Sequence, residues 1–194
     1  KSEKEGIQHV HEAIDGGISF FDNAWEYNAG RSEEVMGKAL AVEGYRNKVF
    51  LMTKVCARDY EGAKKQIDES LSRLKTDHVD LLQFHSIQYD GDVERIFDPD
   101  KGALRAVLEA KKAGKLRYIG FSGHMFPEIH LKMIGMPLEW DTVQLPLNIM
   151  DAHYNSFQKQ VLPVLIEKGI APLGMKSLTG QAANFLRELN VSAD

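Results

Sequence analysis

Six short apolar runs of this sequence each end on a polar or ionisable residue: FF on Asp22, VFLMT on Lys54, VDLLQF on His85, YIGF on Ser122, DTV on Gln144 and IAPLGM on Lys176. If the runs are strands whose tips converge, these groups point into one small volume. Any one of them alone has a plain reading, a turn cap for the Asp or a solvated side chain for the Lys, so the information lies in the set. Asp22, Lys54 and His85 gain Tyr27, five positions after the Asp in FDNAWEYNAG. An ammonium at a dry rim tends to lose its proton unless a carboxylate holds it, and Asp22 is placed to hold Lys54. The charged lysine is expected to lower the Tyr27 pKa from its usual value of about 10 and so make the phenol a proton donor near neutral pH. His85 is expected to orient a carbonyl oxygen by hydrogen bonding and to stabilise the developing alkoxide. This is chemistry for reducing a C=O. No side chain supplies a hydride, so a nicotinamide cofactor is required at the same tips.

The elements that must position these residues follow from hydrophobic period. One unit repeats: a short β-rich apolar run, a polar loop, then an amphipathic helix closed by Gly or a basic turn. Apolar residues at Ile7, Val10 and Ile14 predict a helix from Ile7 to Asp15, stopped by Gly16-Gly17. Ser32 with two acids in the following turn opens a second helix that runs to about Val42. Further helices are expected near 60–74, 101–113, 127–135 and 155–168. Strands are expected near 18–21, 48–53, 78–84, 117–121, 140–145 and 170–174. Six strands alternating with six helices imply a parallel sheet buried on both faces.

An open doubly wound sheet usually carries a glycine-rich phosphate turn after its first strand, and neither G-x-G-x-x-G nor G-x-x-x-x-G-K-[ST] occurs here. The expected fold is therefore a (β/α)8 TIM barrel. Such a barrel needs eight strands and about 250 residues. The 194 residues are expected to form one incomplete barrel domain, a fragment lacking the first strand and the last strand with its C-terminal region.

The composition, 43% hydrophobic and 27% charged, is that of an ordinary soluble domain, which excludes disorder and collagen-like repetition. The 24 basic and 28 acidic residues are interspersed, a net charge of −4 that argues against a nucleic-acid partner. No apolar run approaches the roughly 20 residues that span a bilayer. The single cysteine, Cys56, forms no internal disulfide, and a reducing, cytoplasmic setting fits best. It reads as a buried inert thiol in preference to a redox group. His9 and His11, two apart on a helix, do not share a face, and no metal site is expected. Trp25, between Asp22 and Tyr27, is expected to wall a substrate pocket; packing under the neighbouring loop is the competing reading.

In the segments GISFFDNAWEYNAGRSEEVMGKAL, NKVFLMTKV, SLSRLKTDHVDLLQFHS, YIGFSG and TVQLPLN the chain resembles the aldo-keto reductase superfamily, in a bacterial-type branch, over nearly its whole length. The resemblance implies an NAD(P)-dependent (β/α)8 enzyme that interconverts carbonyls and alcohols. It places the family's catalytic tetrad on Asp22, Tyr27, Lys54 and His85, and its nicotinamide-carboxamide contacts on Ser122 and Gln144. Gly123 stands where the family usually has Asn, with His124 next to it. Met175 stands where an aromatic ring commonly stacks on the nicotinamide, and a thioether packs there as well. Leu178 and Gly180 match the turn that passes the pyrophosphate, while Lys176 and Ser177 are within reach of its oxygens. NADP(H) is preferred over NAD(H) by the resemblance alone, and some relatives of this branch carry an iron–sulfur domain beyond the barrel.

Reduction of a small aldehyde or ketone is thus the leading expectation. A cofactor-binding regulatory or redox-sensor barrel with little turnover is the alternative. A metal-dependent hydrolase built on Asp22 and His85 is disfavoured, because the other tips carry Lys, Ser and Gln where metal ligands are needed.

Overall fold

A computed structural model of the chain describes residues 2–177. In chain order the elements are α1 (Glu3–Asp15), β1 (Phe20–Asp22), α2 (Arg31–Leu40), β2 (Phe50–Val55), α3 (Tyr60–Leu74), β3 (Val79–Phe84) and α4 (Asp90–Ile96). They continue as α5 (Ala103–Lys112), β4 (Leu116–Ser122), α6 (Pro127–Ile134), β5 (Thr142–Pro146), α7 (Phe157–Gln160), α8 (Leu162–Lys168) and β6 (Ala171–Met175).

The strands form one parallel sheet in sequence order. The sheet is curled. Gln83 on β3 donates to Thr142 Oγ1 on β5 at 3.3 Å, and Gln144 on β5 donates to Asp22 Oδ2 on β1 at 2.8 Å. In a flat sheet β1 and β5 would stand roughly 19 Å apart, four inter-strand spacings. The molecule is therefore the curled wall of a (β/α)8 barrel, with β1 and β6 each paired on one side only among the described residues. Gly120 on β4 allows the inner crossing, since a Cβ there would lie 2.1 Å from Thr142 Oγ1.

Register decides which side chains face inward. Asp22 pairs with Met52, so Asp22 shares a face with Lys54 two residues on. Lys54 pairs with Gln83, two before His85; Gln83 pairs with Gly120, two before Ser122. Ser122 pairs with Gln144, and Gln144 with Leu173, two before Met175. Period two thus carries Asp22, Lys54, His85, Ser122, Gln144 and Met175 to one inner rim at the C-terminal ends of the strands. The outer face packs on the helices, with Trp140 edge-on to Phe84, Phe97 and Phe121 and its indole N–H donating to Met133 O.

Helix count and bounds depart from expectation for local reasons. Eight α-helices are present among the described residues, against six expected. The additional α4 is held by Asp92, which accepts from the backbone of Gln88 and Tyr89 and pairs with Arg58 at 3.0 Å. Expected helix 155–168 divides at Val161 into α7 and α8, because Pro163, lacking an N–H, is accommodated in a first turn and not in a helix interior. α1 begins four residues early, on a capping box in which Ser2 accepts from Glu5 N and Glu5 accepts from Ser2 N. No helix among the described residues is long and apolar enough to cross a membrane.

Candidate active site

Lys54 sits at the centre of the rim with its side chain only 2% exposed. It is in direct ionic contact with Asp22 and donates to the carbonyl oxygen of Asn23 at 2.8 Å. The Tyr27 hydroxyl lies 3.5 Å from Lys54 Nζ. Tyr27 opens a tight 3₁₀ turn, Tyr27–Gly30, in which Asn28, Ala29 and Gly30 all take left-handed backbone angles. That turn reverses the chain, so that the phenol lies over the strand tips. Tyr27 also meets the His85 ring edge-to-face, with centroids 5.5 Å apart. All four expected residues share this cleft, and Tyr27 at 38% exposure leaves it open to solvent.

The electrostatics differ from the sequence expectation. Burial pushes the Lys54 ammonium below its ordinary pKa, and the attraction of Asp22 opposes the shift without cancelling it. Tyr27 was expected to be lowered; instead it is raised, first by burial and then by the Asp22 and Glu26 carboxylates. The phenol is thereby held in its protonated form. Burial, then the Lys54 charge, brings His85 down to about 4, so the ring is neutral at pH 7. Its Nδ1 lies 2.9 Å from Glu26 Oε1. A neutral ring facing a carboxylate oxygen at that distance carries its proton on Nδ1, which leaves Nε2 as an acceptor. In that tautomer the sequence expectation that His85 donates to a carbonyl oxygen is not met by Nε2.

On the next strands a donor and an acceptor lie side by side. Ser122 Oγ accepts from Ser86 N at 2.9 Å, leaving its hydroxyl hydrogen available. Gln144 spends its Nε2 on Asp22, and its buried Oε1 has no partner among the described residues. One donor and one orphaned acceptor in paired register match the C=O and NH2 of a primary carboxamide. Gly123 has a steric cause: a Cβ there would lie 2.3 Å from His130 Cε1, so buried His130 fills the space an Asn would need. Nδ1 of His124 is likewise buried and unpartnered among the described residues. Met175 lies half-buried on the inner face of β6, and Lys176 follows with a left-handed backbone at φ 57°. Leu178 and Gly180 lie outside the described residues.

The sequence profile of the Aldo/keto reductase family matches residues 1–190. The chain belongs to that family. Relatives of this family member include L-galactose dehydrogenase of Arabidopsis thaliana, 33% identical over 93% of this chain and 59% of its own length. Aldo-keto reductase YhdN of Bacillus subtilis is 31% identical over 91% of this chain and 53% of its own length. The chain thus spans between about half and three fifths of these two curated relatives. A solved aldo/keto reductase from Brucella melitensis superimposes with a TM-score of 0.74 at 26% identity, covering 96% of this chain and 69% of that one. Aldo-keto reductase AKR11C1 from Bacillus halodurans, in holo form, also gives 0.74 at 26% identity, over 90% of this chain and 58% of that one.

In this aldo/keto reductase family member half-buried Trp25 is held from the side of α3. Its indole N–H donates to Glu69 on α3 at 2.7 Å, and the Arg73 guanidinium lies 5.4 Å from the ring centroid. Trp25 clasps the loop to α3, a contact that neither reading of the sequence named. Cys56 is held protonated in the absence of a metal, its pKa pushed up to about 12 by burial and the Glu26 charge. Sequence reasoning passed over Glu26 and the position of Cys56 beside His85, Sγ to Nδ1 3.6 Å. Period two was the available signal for Cys56, two residues beyond Lys54. Glu26 had none, because its partner is 59 positions away.

Proposed function

We propose that this chain carries the catalytic wall of an NAD(P)H-dependent carbonyl reductase, residues 1–194 forming one incomplete barrel domain, with Tyr27 as the acid that protonates the nascent alkoxide. The observation that supports it most is buried Lys54 in contact with Asp22 and 3.5 Å from the Tyr27 hydroxyl. A phenol whose pKa is raised is fully protonated at neutral pH and has a proton to give. Lys54 and Asp22 shape the field in which that proton leaves.

The Ser122 hydroxyl and Gln144 Oε1 suit the carboxamide of a nicotinamide, and the phosphorylated form is the preferred cofactor. When bound, that cofactor supplies the hydride. Gln144 is oriented for its part by Asp22, so one carboxylate sets both the lysine and the amide acceptor. Met175 packs beside the ring site, and Lys176 with Ser177 is available to phosphate oxygens. His85, with Nδ1–H committed to Glu26, accepts a hydrogen bond at Nε2 from the hydroxyl of the alcohol formed by reduction. The substrate is a small aldehyde or ketone.

The test is single-turnover oxidation of NADPH by an aromatic aldehyde. Tyr27→Phe removes the proton and leaves the ring packing, and the rate is expected to fall by about 10²–10⁴-fold. A fall of less than fivefold overturns the assignment of the acid.

A further inference from the structure

Glu26, Cys56 and His85 come from three segments, the loop after β1 and the ends of β2 and β3, yet a carboxylate oxygen, the thiol sulfur and a ring nitrogen all lie within 4.8 Å of one another. The Sγ–Nδ1 separation is 3.6 Å. A tetrahedral zinc with bonds of about 2.3 Å to sulfur and 2.0–2.1 Å to nitrogen sets that edge at about 3.5 Å. The Cys–His edge is therefore already at the length a bound ion needs. The Glu26–His85 edge, 2.9 Å, is a hydrogen-bond length. It has to open by a few tenths of an ångström, roughly the difference between a hydrogen bond and a ligand–ligand edge. Glu26 is 52% exposed and free to make that movement.

The surroundings are built for it. Gln66 Oε1 accepts from the backbone N–H of both Cys56 and Ala57, at 2.8 and 2.9 Å, and fixes the segment that carries the sulfur. Arg58 grips the carbonyl oxygens of Cys56 and His85 from behind and is itself paired with Asp92. The two positive charges beside the cluster are each engaged by a carboxylate, Arg58 by Asp92 and Lys54 by Asp22. A thiolate, an imidazole and a carboxylate together favour zinc over magnesium or calcium, which take oxygen ligands.

We propose that Glu26, Cys56 and His85 form a three-ligand site for a thiophilic divalent cation, zinc above all, whose occupation shuts the cleft down by taking His85. Loading sends the Cys56 proton to solvent and moves the ring proton of His85 from Nδ1 to Nε2, so protons balance and no redox step is involved. Three protein ligands leave one position of a tetrahedral ion for water. Inhibition rests on the reductase reading; binding does not.

The test uses the 194-residue chain. Cobalt(II), added in the absence of nicotinamide and carbonyl, is expected to give a near-ultraviolet thiolate-to-metal charge-transfer band that zinc displaces and that Cys56→Ser abolishes. In carbonyl-reduction assays Cys56→Ser, which leaves every group of the proposed mechanism in place, is expected to keep its basal rate and to need at least tenfold more zinc for half inhibition. Absence of the band from the unaltered chain, or equal zinc inhibition of chain and variant, overturns the site. A chain that shows the band and reduces no carbonyl overturns the reductase reading and leaves the metal site standing.

Discussion

Asp22 divides its two oxygens between the two halves of the site: Oδ1 meets Lys54, and Oδ2 accepts from Gln144, 122 positions away. One carboxylate thus couples the proton-transfer side to the amide-binding side. The electrostatic outcome is set by burial more than by pairing, since burial lowers Lys54 and His85 and raises Tyr27. A pH dependence follows, with opposite signs in the two directions. Reduction needs the phenol, which is fully present at every pH below a pKa lying above the usual value of about 10. Its rate is therefore expected to stay level through neutrality and fall only above about pH 10. Alcohol oxidation needs the phenolate, so its rate is expected to climb about tenfold per pH unit toward the same pKa. Neither profile should bend in the usual histidine range, because His85 titrates near 4. Profiles of kcat/KM in both directions measure this, and an oxidation midpoint below pH 8 would contradict the raised tyrosine.

At the scale of elements, the tip of β4 is fitted against α6 with almost no tolerance. Gly123 accepts no Cβ because His130 and the carbonyl of Ile87 occupy the space, at 2.3 and 2.9 Å. Both are fixed, one by burial on a helix and the other by being backbone. Gly123→Ala is expected to destabilise the fold by about 1–3 kcal/mol, the usual cost of overpacking, measured by urea unfolding. An unchanged midpoint would mean that α6 yields freely. This contact was not legible in the sequence, whereas the alternation of strands and helices was. The tips at Asp22, Lys54, His85, Ser122 and Gln144 were legible because period two is a property of the backbone and needs no partner to be seen. Features that depend on a distant residue were hidden: Trp25 turns outward because Glu69 waits 44 positions on. The segment of α4 has only Val93 and Ile96 buried, too few to make a period. The start of α1 was legible in principle, since Ser2 and Glu5 stand at capping-box spacing.

The whole molecule is a curled wall whose two outer strands, β1 and β6, lack a second strand neighbour among the described residues. Its curvature is fastened across the interior by the Gln83–Thr142 and Gln144–Asp22 hydrogen bonds. A ligand held by Ser122 and Gln144 while lying over Met175 would touch β4, β5 and β6 together and add a further tie to that wall. Ligand binding to the native state raises stability by mass action, about 2.7 kcal/mol at a hundredfold excess over Kd. For a domain of this size each kcal/mol moves Tm by about 2–4 °C, so saturating NADPH is expected to raise Tm by roughly 5–11 °C. Gln144→Leu removes the acceptor for the carboxamide and also the tie to Asp22, so its own Tm is lower at the outset. The informative quantity is the increment on adding NADPH at the same concentration, expected to shrink to roughly half if affinity falls tenfold. Equal increments in parent and variant would detach Gln144 from cofactor binding and leave it as a fastening of the curled sheet alone.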